Sequence, residues 1–204
     1  MNTLERTLVE KTGADNGWEC VQESRQEVVR LASARHSVSV EIIRREPHPE
    51  GYELRFSEPV ELSELKRDLP PELFLKDTIV AYNEQTLAVI LRRYAELVVS
   101  LPSHPLGEYE KEVAAIFETD SGIRGTETER LVRQRVGQDV YRKSLMNYWK
   151  GQCAVTGIDV PEVLRASHAK PWADCETDAD RLNVYNGFLL SADLDALFDS
   201  GLIS

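Results

Sequence analysis

Apolar residues recur every three or four positions in some stretches of this chain and every second position in others, which predicts helices and strands respectively. Leu4, Leu8 and Val9 set a helix over Thr3 to Thr12, broken at Gly13 and at Asn16-Gly17. Glu27 to Ala32 is a short run with β-branched content. Ser37 to Ile43 alternates Val38, Val40 and Ile42, and Tyr52 to Phe56 alternates again, with Pro47, Pro49 and Gly51 between them. A hairpin is expected there. Leu62 to Leu69 has the spacing of a short helix and stops at Pro70-Pro71. Leu87, Ile90, Leu91, Tyr94, Leu97 and Val98 form one apolar stripe, so Thr86 to Leu101 is read as helix.

Pro102, Pro105 and Gly107 punctuate Leu101 to Gly107, which reads as a linker. Glu108 to Thr119 has helical spacing, Asp120-Ser121-Gly122 is a break, and Thr126 to Lys150 is helical with an interruption expected near Gly137. The last third differs in kind. Cys153 to Gly157 reads as a short strand or turn, and Val163 to Ala169 as a strand ended by Pro171. Residues 174–183 are polar and acidic, hence loop, and Val184 to Leu190 is strand-like around the turn dipeptide Asn186-Gly187. Leu194, Leu197 and Phe198 share one side of a helix over Ala192 to Asp199, with Gly201 as its stop. The order strand, long loop, strand, helix results. The fold class is α+β, with an acidic α+β domain over residues 1–101, a linker and helix over 102–129, and a third part over 130–204.

Composition narrows the function. Hydrophobic residues make up 42% and charged residues 29% of the 204, as in an ordinary globular protein. No stretch approaches the roughly 20 apolar residues of a membrane helix, and the N-terminus has no basic segment leading into an apolar run, so neither a membrane span nor a secretory signal is expected. Cys20, Cys153 and Cys175 are sparse and odd in number, which argues against a disulfide framework and for a reducing cytoplasm. The net charge of −11 has the wrong sign for a nucleic-acid binder. Its distribution changes that picture. Residues 1–123 carry 14 basic and 23 acidic side chains, residues 124–152 carry 7 and 3, and residues 153–204 carry 3 and 9. A basic stretch directly before an acidic one is what a phosphate-binding surface beside a cation site would show; a solvated basic helix beside an acidic tail would show it too.

The candidate chemistry lies in the last part. His168 is on the first strand, Asn186 at the second, and Asp195 and Asp199 are four apart on the helix, so both carboxylates share a face. Paired carboxylates suit a hard cation such as Mg²⁺ or Mn²⁺, and a histidine titrates near neutrality, as a general base must. Phosphodiester hydrolysis uses such parts. Each also has a plainer reading: a structural strand histidine, a solvated aspartate pair, a simple turn.

Five blocks in order decide between these readings: Arg135-Val-Gly-Gln-Asp-Val-Tyr-Arg142, Cys153-Ala-Val-Thr-Gly157, Leu164-Arg-Ala-Ser-His168, Asn186-Gly-Phe-Leu-Leu190, and Asp193-Leu-Asp-Ala-Leu-Phe-Asp-Ser-Gly-Leu-Ile203. Together they resemble the HNH endonuclease family, in the branch found in bacterial restriction and defence proteins, over about residues 130 to 204. The resemblance implies a ββα-metal finger that cuts DNA with one divalent metal ion, Mg²⁺ or Mn²⁺. It implies that His168 is the general base, that Asn186 holds the loop orienting it, and that Asp195 is a metal ligand, with Asp199 a lesser candidate. Ser167 stands where many relatives carry a charged ligand, which makes a catalytically impaired, DNA- or protein-binding module the alternative. Thr156 follows Cys153 where relatives repeat a cysteine, so no structural zinc is expected.

The resemblance also gives the basic stretch a use. Arg135, Gln138, Arg142, Lys143 and Lys150, with Arg130 and Arg133, are expected to meet DNA, or else to face water from a helix packed under the finger. Trp149 and Trp172 read as core. A homodimer is attractive, because a double-strand break needs two cuts. The acidic domain over 1–101 has a sensing, DNA-reading or dimerising role open to it. Relatives run on past the point where this chain ends at Ser204, so a shortened chain is expected.

Overall fold

Alternating apolar positions build a sheet only when strands line up so that their apolar sides coincide, and the first half of the chain does this over residues 20–81. The structure, a computed structural model, describes residues 1–45, 51–60, 62–76, 78–119 and 125–203. The turn expected at Pro47 and Pro49, the break at Asp120-Ser121-Gly122 and Ser204 lie outside the described residues. The chain divides into two units, Met1–Val98 and Val99–Ser204. Helix and sheet are mixed in an α+β arrangement.

In the first unit α1 (Thr3–Ala14) opens with a capping box: Asn2 Oδ1 accepts from the Glu5 backbone N at 2.9 Å and the Glu5 carboxylate accepts from the Asn2 N at 2.7 Å. There follow β1 (Cys20–Ser24), β2 (Val28–Ala32), β3 (Ser39–Arg45), β4 (Gly51–Phe56), α2 (Leu62–Asp68), β5 (Phe74–Leu75), β6 (Thr78–Ala81) and α3 (Glu84–Ser100). The six strands pair antiparallel in the order β1-β2-β3-β4-β6-β5. Val29, Ile42, Leu54 and Ile79 stand opposite one another across four strands, all buried. The other face carries a ladder of alternating sign, with Glu23 opposite Arg30, Arg30 opposite Glu41 and Glu41 opposite Arg55. Arg30 is ion-paired to both glutamates beside it.

The stripe expected on α3 is there: Leu87, Ile90, Leu91, Tyr94 and Leu97 are buried, and the Trp18 indole donates to the Leu91 carbonyl at 2.9 Å. Asn83 caps the helix through its Oδ1 and the Thr86 N, 2.8 Å apart. The sequence reading missed β1, whose residues are mostly polar and exposed, and the short strands β5 and β6.

The second unit corrects several expectations. The linker read over residues 101–107 is largely helix, because α4 (Ser103–Thr119) begins there. Pro105 falls in its first turn, where backbone N–H groups have no helical partner to lose. The next helix, α5 (Thr126–Tyr148), runs through Gly137 unbroken. Cys153 to Gly157 is a turn, with Gly157 at φ +72°. The finger follows as β7 (Leu164–His168), α6 (Asp178–Arg181), β8 (Gly187–Ser191) and α7 (Ala192–Asp199). The stretch read as loop over 174–183 thus contains α6, started by a capping box between Thr177 and Asp180. Val184–Asn186 is a 3-10 turn rather than strand, and Gly187 is extended at φ −177°, so Asn186-Gly187 is not a hairpin turn. Among the described residues no helix is long and apolar enough to cross a membrane.

Candidate functional site

Strand residues point alternately to opposite faces, and the β7–β8 hairpin uses both. Its strands pair antiparallel, with Ser167 opposite Phe188 and His168 opposite Gly187. On one face lies α7: the Phe188 ring meets Phe198 edge-on at 5.9 Å, and the Ser167 hydroxyl donates to Asp195 Oδ1. On the other lies α5, where the Tyr141 ring stacks on the His168 imidazole, centroids 3.8 Å apart and 18° from parallel. The structure therefore brings Ser167 and Asp195 into direct contact and turns His168, the next residue along, to the other face, toward Tyr141, so the imidazole and the Asp195 carboxylate, expected to meet, are not in contact.

The imidazole is held at three points. Besides the Tyr141 stack, Trp172 approaches edge-on at 5.6 Å and 89°, and Nε2 lies 2.8 Å from the Arg181 carbonyl oxygen. A carbonyl only accepts, so in the neutral ring Nε2 carries the hydrogen and Nδ1 keeps its lone pair. Burial pushes the His168 pKa below its ordinary value, against the hydrogen bond to Arg181, which works the other way. Burial thus favours the neutral form of the ring, in which Nδ1 holds the lone pair.

Between β7 and β8 the chain makes a loop, and two residues fix it. Asn186 Oδ1 accepts from the Lys170 N at 2.8 Å, its Nδ2 donates to the Lys170 carbonyl at 3.2 Å, and its own carbonyl accepts from the Ala169 N at 2.9 Å. The two ends of the loop are so tied together. Arg181 organises the middle: its guanidinium donates to Asp178 at 2.8 Å, to the Cys175 carbonyl at 2.6 Å and to the Trp172 carbonyl at 3.3 Å. The same residue's carbonyl then holds His168. Tyr141 joins this assembly through its hydroxyl, which donates to the Asn186 carbonyl at 3.1 Å. Position 187 has to be glycine: a Cβ there would lie 1.8 Å from that hydroxyl.

Asp195 is half-buried, and Asp199, one turn further along α7, is exposed. Among the described residues no group of three or more His, Cys, Asp or Glu is placed to hold a metal. The Asp195 carboxylate and the Ser167 hydroxyl are a small set of hard oxygens. They fit a magnesium-like ion, which keeps several waters and takes the remaining oxygens from a phosphate. They do not fit zinc, which asks for four firm ligands in a structural site.

Much of the basic stretch is engaged within the second unit. Arg130 pairs with Glu127 at 2.8 Å and Arg133 with Glu129 at 3.2 Å. Lys143 reaches Glu108 and Glu112, both at 3.3 Å, and Arg142 donates to the carbonyls of Leu164 at 2.7 Å and Pro161 at 2.8 Å. Arg135, Gln138 and Lys150 are exposed. Trp149 and Trp172, read as core, are only half-buried, and Trp172 flanks the imidazole. Tyr141, Trp172 and Arg181 were not singled out as site residues. Only contacts between residues far apart in the chain reveal them.

Residues 153–204 match the family model of HNH endonucleases. That is about a quarter of the chain, and it includes His168, Asn186 and Asp195 while leaving α5 outside. No curated protein matches the chain.

Proposed function

We propose that the second unit is a nuclease that hydrolyses phosphodiester bonds of DNA. One observation carries this reading: an imidazole held at Nε2 by the Arg181 carbonyl, in a segment that matches HNH endonucleases. His168 takes the proton of the attacking water at Nδ1. Asn186 holds closed the loop that supplies the Arg181 carbonyl. Asp195, with Ser167 beside it, holds a divalent cation, Mg²⁺ or Mn²⁺, and Asp199 adds negative charge one turn away. When bound, that ion stabilises charge on the phosphate and the leaving oxygen.

Exposed Arg135 and Gln138 on α5, with exposed Lys150 just after it, meet the DNA backbone, while Arg142 and Lys143 on α5 brace the finger and α4. The resemblance of the five sequence blocks to bacterial restriction and defence proteins supports that setting, in the cytoplasm, and a homodimer would supply the two cuts of a double-strand break. Residues 1–98 carry 13 basic and 18 acidic side chains, and this acidic balance supports a sensing or protein-contacting role for the first unit over a phosphate-binding one.

A second reading, a DNA- or protein-binding module without activity, draws support from the Ser167–Asp195 hydrogen bond, which uses one carboxylate oxygen of the expected ligand. Nicking of supercoiled plasmid with Mg²⁺ or Mn²⁺ separates the two. The wild-type chain is expected to nick, with His168→Ala slower by about 10²- to 10⁴-fold and Asp195→Ala comparably impaired. Retardation of DNA without nicking by the wild-type chain would favour the second reading. Equal nicking by wild type and His168→Ala would remove the base from His168.

A further inference from the structure

A hydrogen bond fixes one atom of a ring and leaves the ring free to turn about the bond. The bond from His168 Nε2 to the Arg181 carbonyl therefore does not by itself determine where Nδ1 points. A flat surface against the ring face removes the remaining rotation. Tyr141 provides it: 1% exposed, nearly parallel to the imidazole, and anchored at its far end by the hydroxyl bond to the Asn186 carbonyl. Trp172 closes the edge of the same ring, and its indole rests on Gly137, one helical turn before Tyr141 on α5, where a Cβ would come within 2.4 Å of Cη2. The Arg181 guanidinium lies 5.8 Å from the Trp172 ring centroid, so the residue that holds Nε2 also braces the edge.

We infer that Tyr141 and Trp172 are positioning residues that set the plane of the His168 imidazole, and that α5, outside the family match, is thereby part of the catalytic apparatus. The inference rests on the nuclease reading for its consequence and on the ring geometry for its content. Catalysis tolerates little misplacement of a base; an error of about 1 Å costs on the order of 10²-fold in rate. Tyr141 acts on the reaction through the ring it covers, not by touching the substrate. Its hydroxyl is bonded to a backbone carbonyl, and its ring covers the imidazole.

The test uses the full chain in single-turnover plasmid nicking with Mg²⁺, comparing Tyr141→Phe, Tyr141→Leu, Trp172→Leu, His168→Ala and the double variant Tyr141→Leu/His168→Ala. Tyr141→Phe keeps the plate and is expected to stay within about threefold of wild type. Tyr141→Leu keeps apolar volume without flatness and should lose about 10- to 100-fold in maximal rate, with the half-saturating plasmid concentration unchanged. Trp172→Leu should lose less. In the His168→Ala background Tyr141→Leu should change the residual rate less than about twofold, since a positioning residue has nothing left to position. An equal loss in both backgrounds, or wild-type rates from Tyr141→Leu, would overturn the inference.

Proton NMR of the His168 ring decides the geometry independently of activity. Stacking places the imidazole C–H protons under the Tyr141 ring current, so an upfield shift is expected in wild type and Tyr141→Phe and lost in Tyr141→Leu. If wild type does not nick yet shows that shift, the nuclease reading fails and the positioning stands; absence of the shift in folded wild type refutes the positioning.

Discussion

Gly137 and Trp172 touch so closely that a methyl group has no room between them: a Cβ at position 137 would lie 2.4 Å from Cη2 and 3.0 Å from Cζ2 of the indole. Two opposing effects follow for Gly137→Ala. Alanine favours helix over glycine by about 0.5–1 kcal/mol, and overpacking costs about 1–3 kcal/mol. The second exceeds the first, so the thermal midpoint of the second unit is expected to fall. Differential scanning calorimetry of the full chain checks this, and a raised midpoint would show that the indole is not seated on α5.

Arg142 and Arg135 sit two turns apart on α5 and should behave differently. Arg142 satisfies two backbone carbonyls of the segment leading into β7. Arg142→Ala is expected to cost about 1–3 kcal/mol of stability, measured by urea unfolding, because those carbonyls lose a charged donor. Arg135→Ala should leave stability unchanged and lower the slope of log affinity against log salt by about one on non-specific DNA. If Arg142→Ala alters only the salt slope, its place in the fold is misassigned.

The difference between these two arginines shows what the sequence made legible. The hairpin, the helix after it and the identities of His168, Asn186 and Asp195 stood out because those residues fall in short local blocks. The partners of Arg142 and Lys143 lie 19 to 35 positions away, so no local pattern shows that they are engaged. Gly137 looked like a break because propensity is local, and the indole that explains it comes from residue 172. Pro105 and Gly107 looked like a linker because their weight depends on position in a helix, and Pro105 falls in the first turn of α4. The polar strand β1 joins the sheet through backbone pairing with β2, which leaves no apolar alternation to read.

His168 provides a pH test. Its folded pKa lies below the ordinary 6.5, with burial as the main cause. Well above pH 6.5, from about a unit higher, the ring is neutral in both folded and unfolded chains and contributes no pH dependence. As pH falls below 6.5 the unfolded chain takes up the proton first, so this residue's contribution to stability declines until the folded pKa is passed, and then levels. Wild type should therefore lose stability across that window relative to His168→Gln. A parallel pH dependence in the two proteins would contradict the burial of the ring.

Chelation should separate activity from folding. Burial raises the Cys153 thiol, but hydrogen bonds from Thr156, Val155 and Ser191 outweigh it and hold its pKa down at about 7. Its sulfur accepts from the backbone N of Ser191 at 3.3 Å and of Thr156 at 3.5 Å, and no second cysteine follows at position 156 to complete a zinc pair. Excess EDTA is expected to stop plasmid nicking while leaving the thermal midpoint unchanged. A midpoint lowered by EDTA and restored by zinc would reveal a structural ion.

The ladder of Glu23, Arg30, Glu41 and Arg55 has a consequence for how the first unit assembles. Sliding one strand past its neighbour by a single residue would turn these charges into the apolar layer formed by Val29, Ile42 and Leu54. Opposite charges at the intended crossings and an intolerable mismatch one step away make the sheet self-aligning. That safeguard operates while the chain is still folding, before any substrate is present.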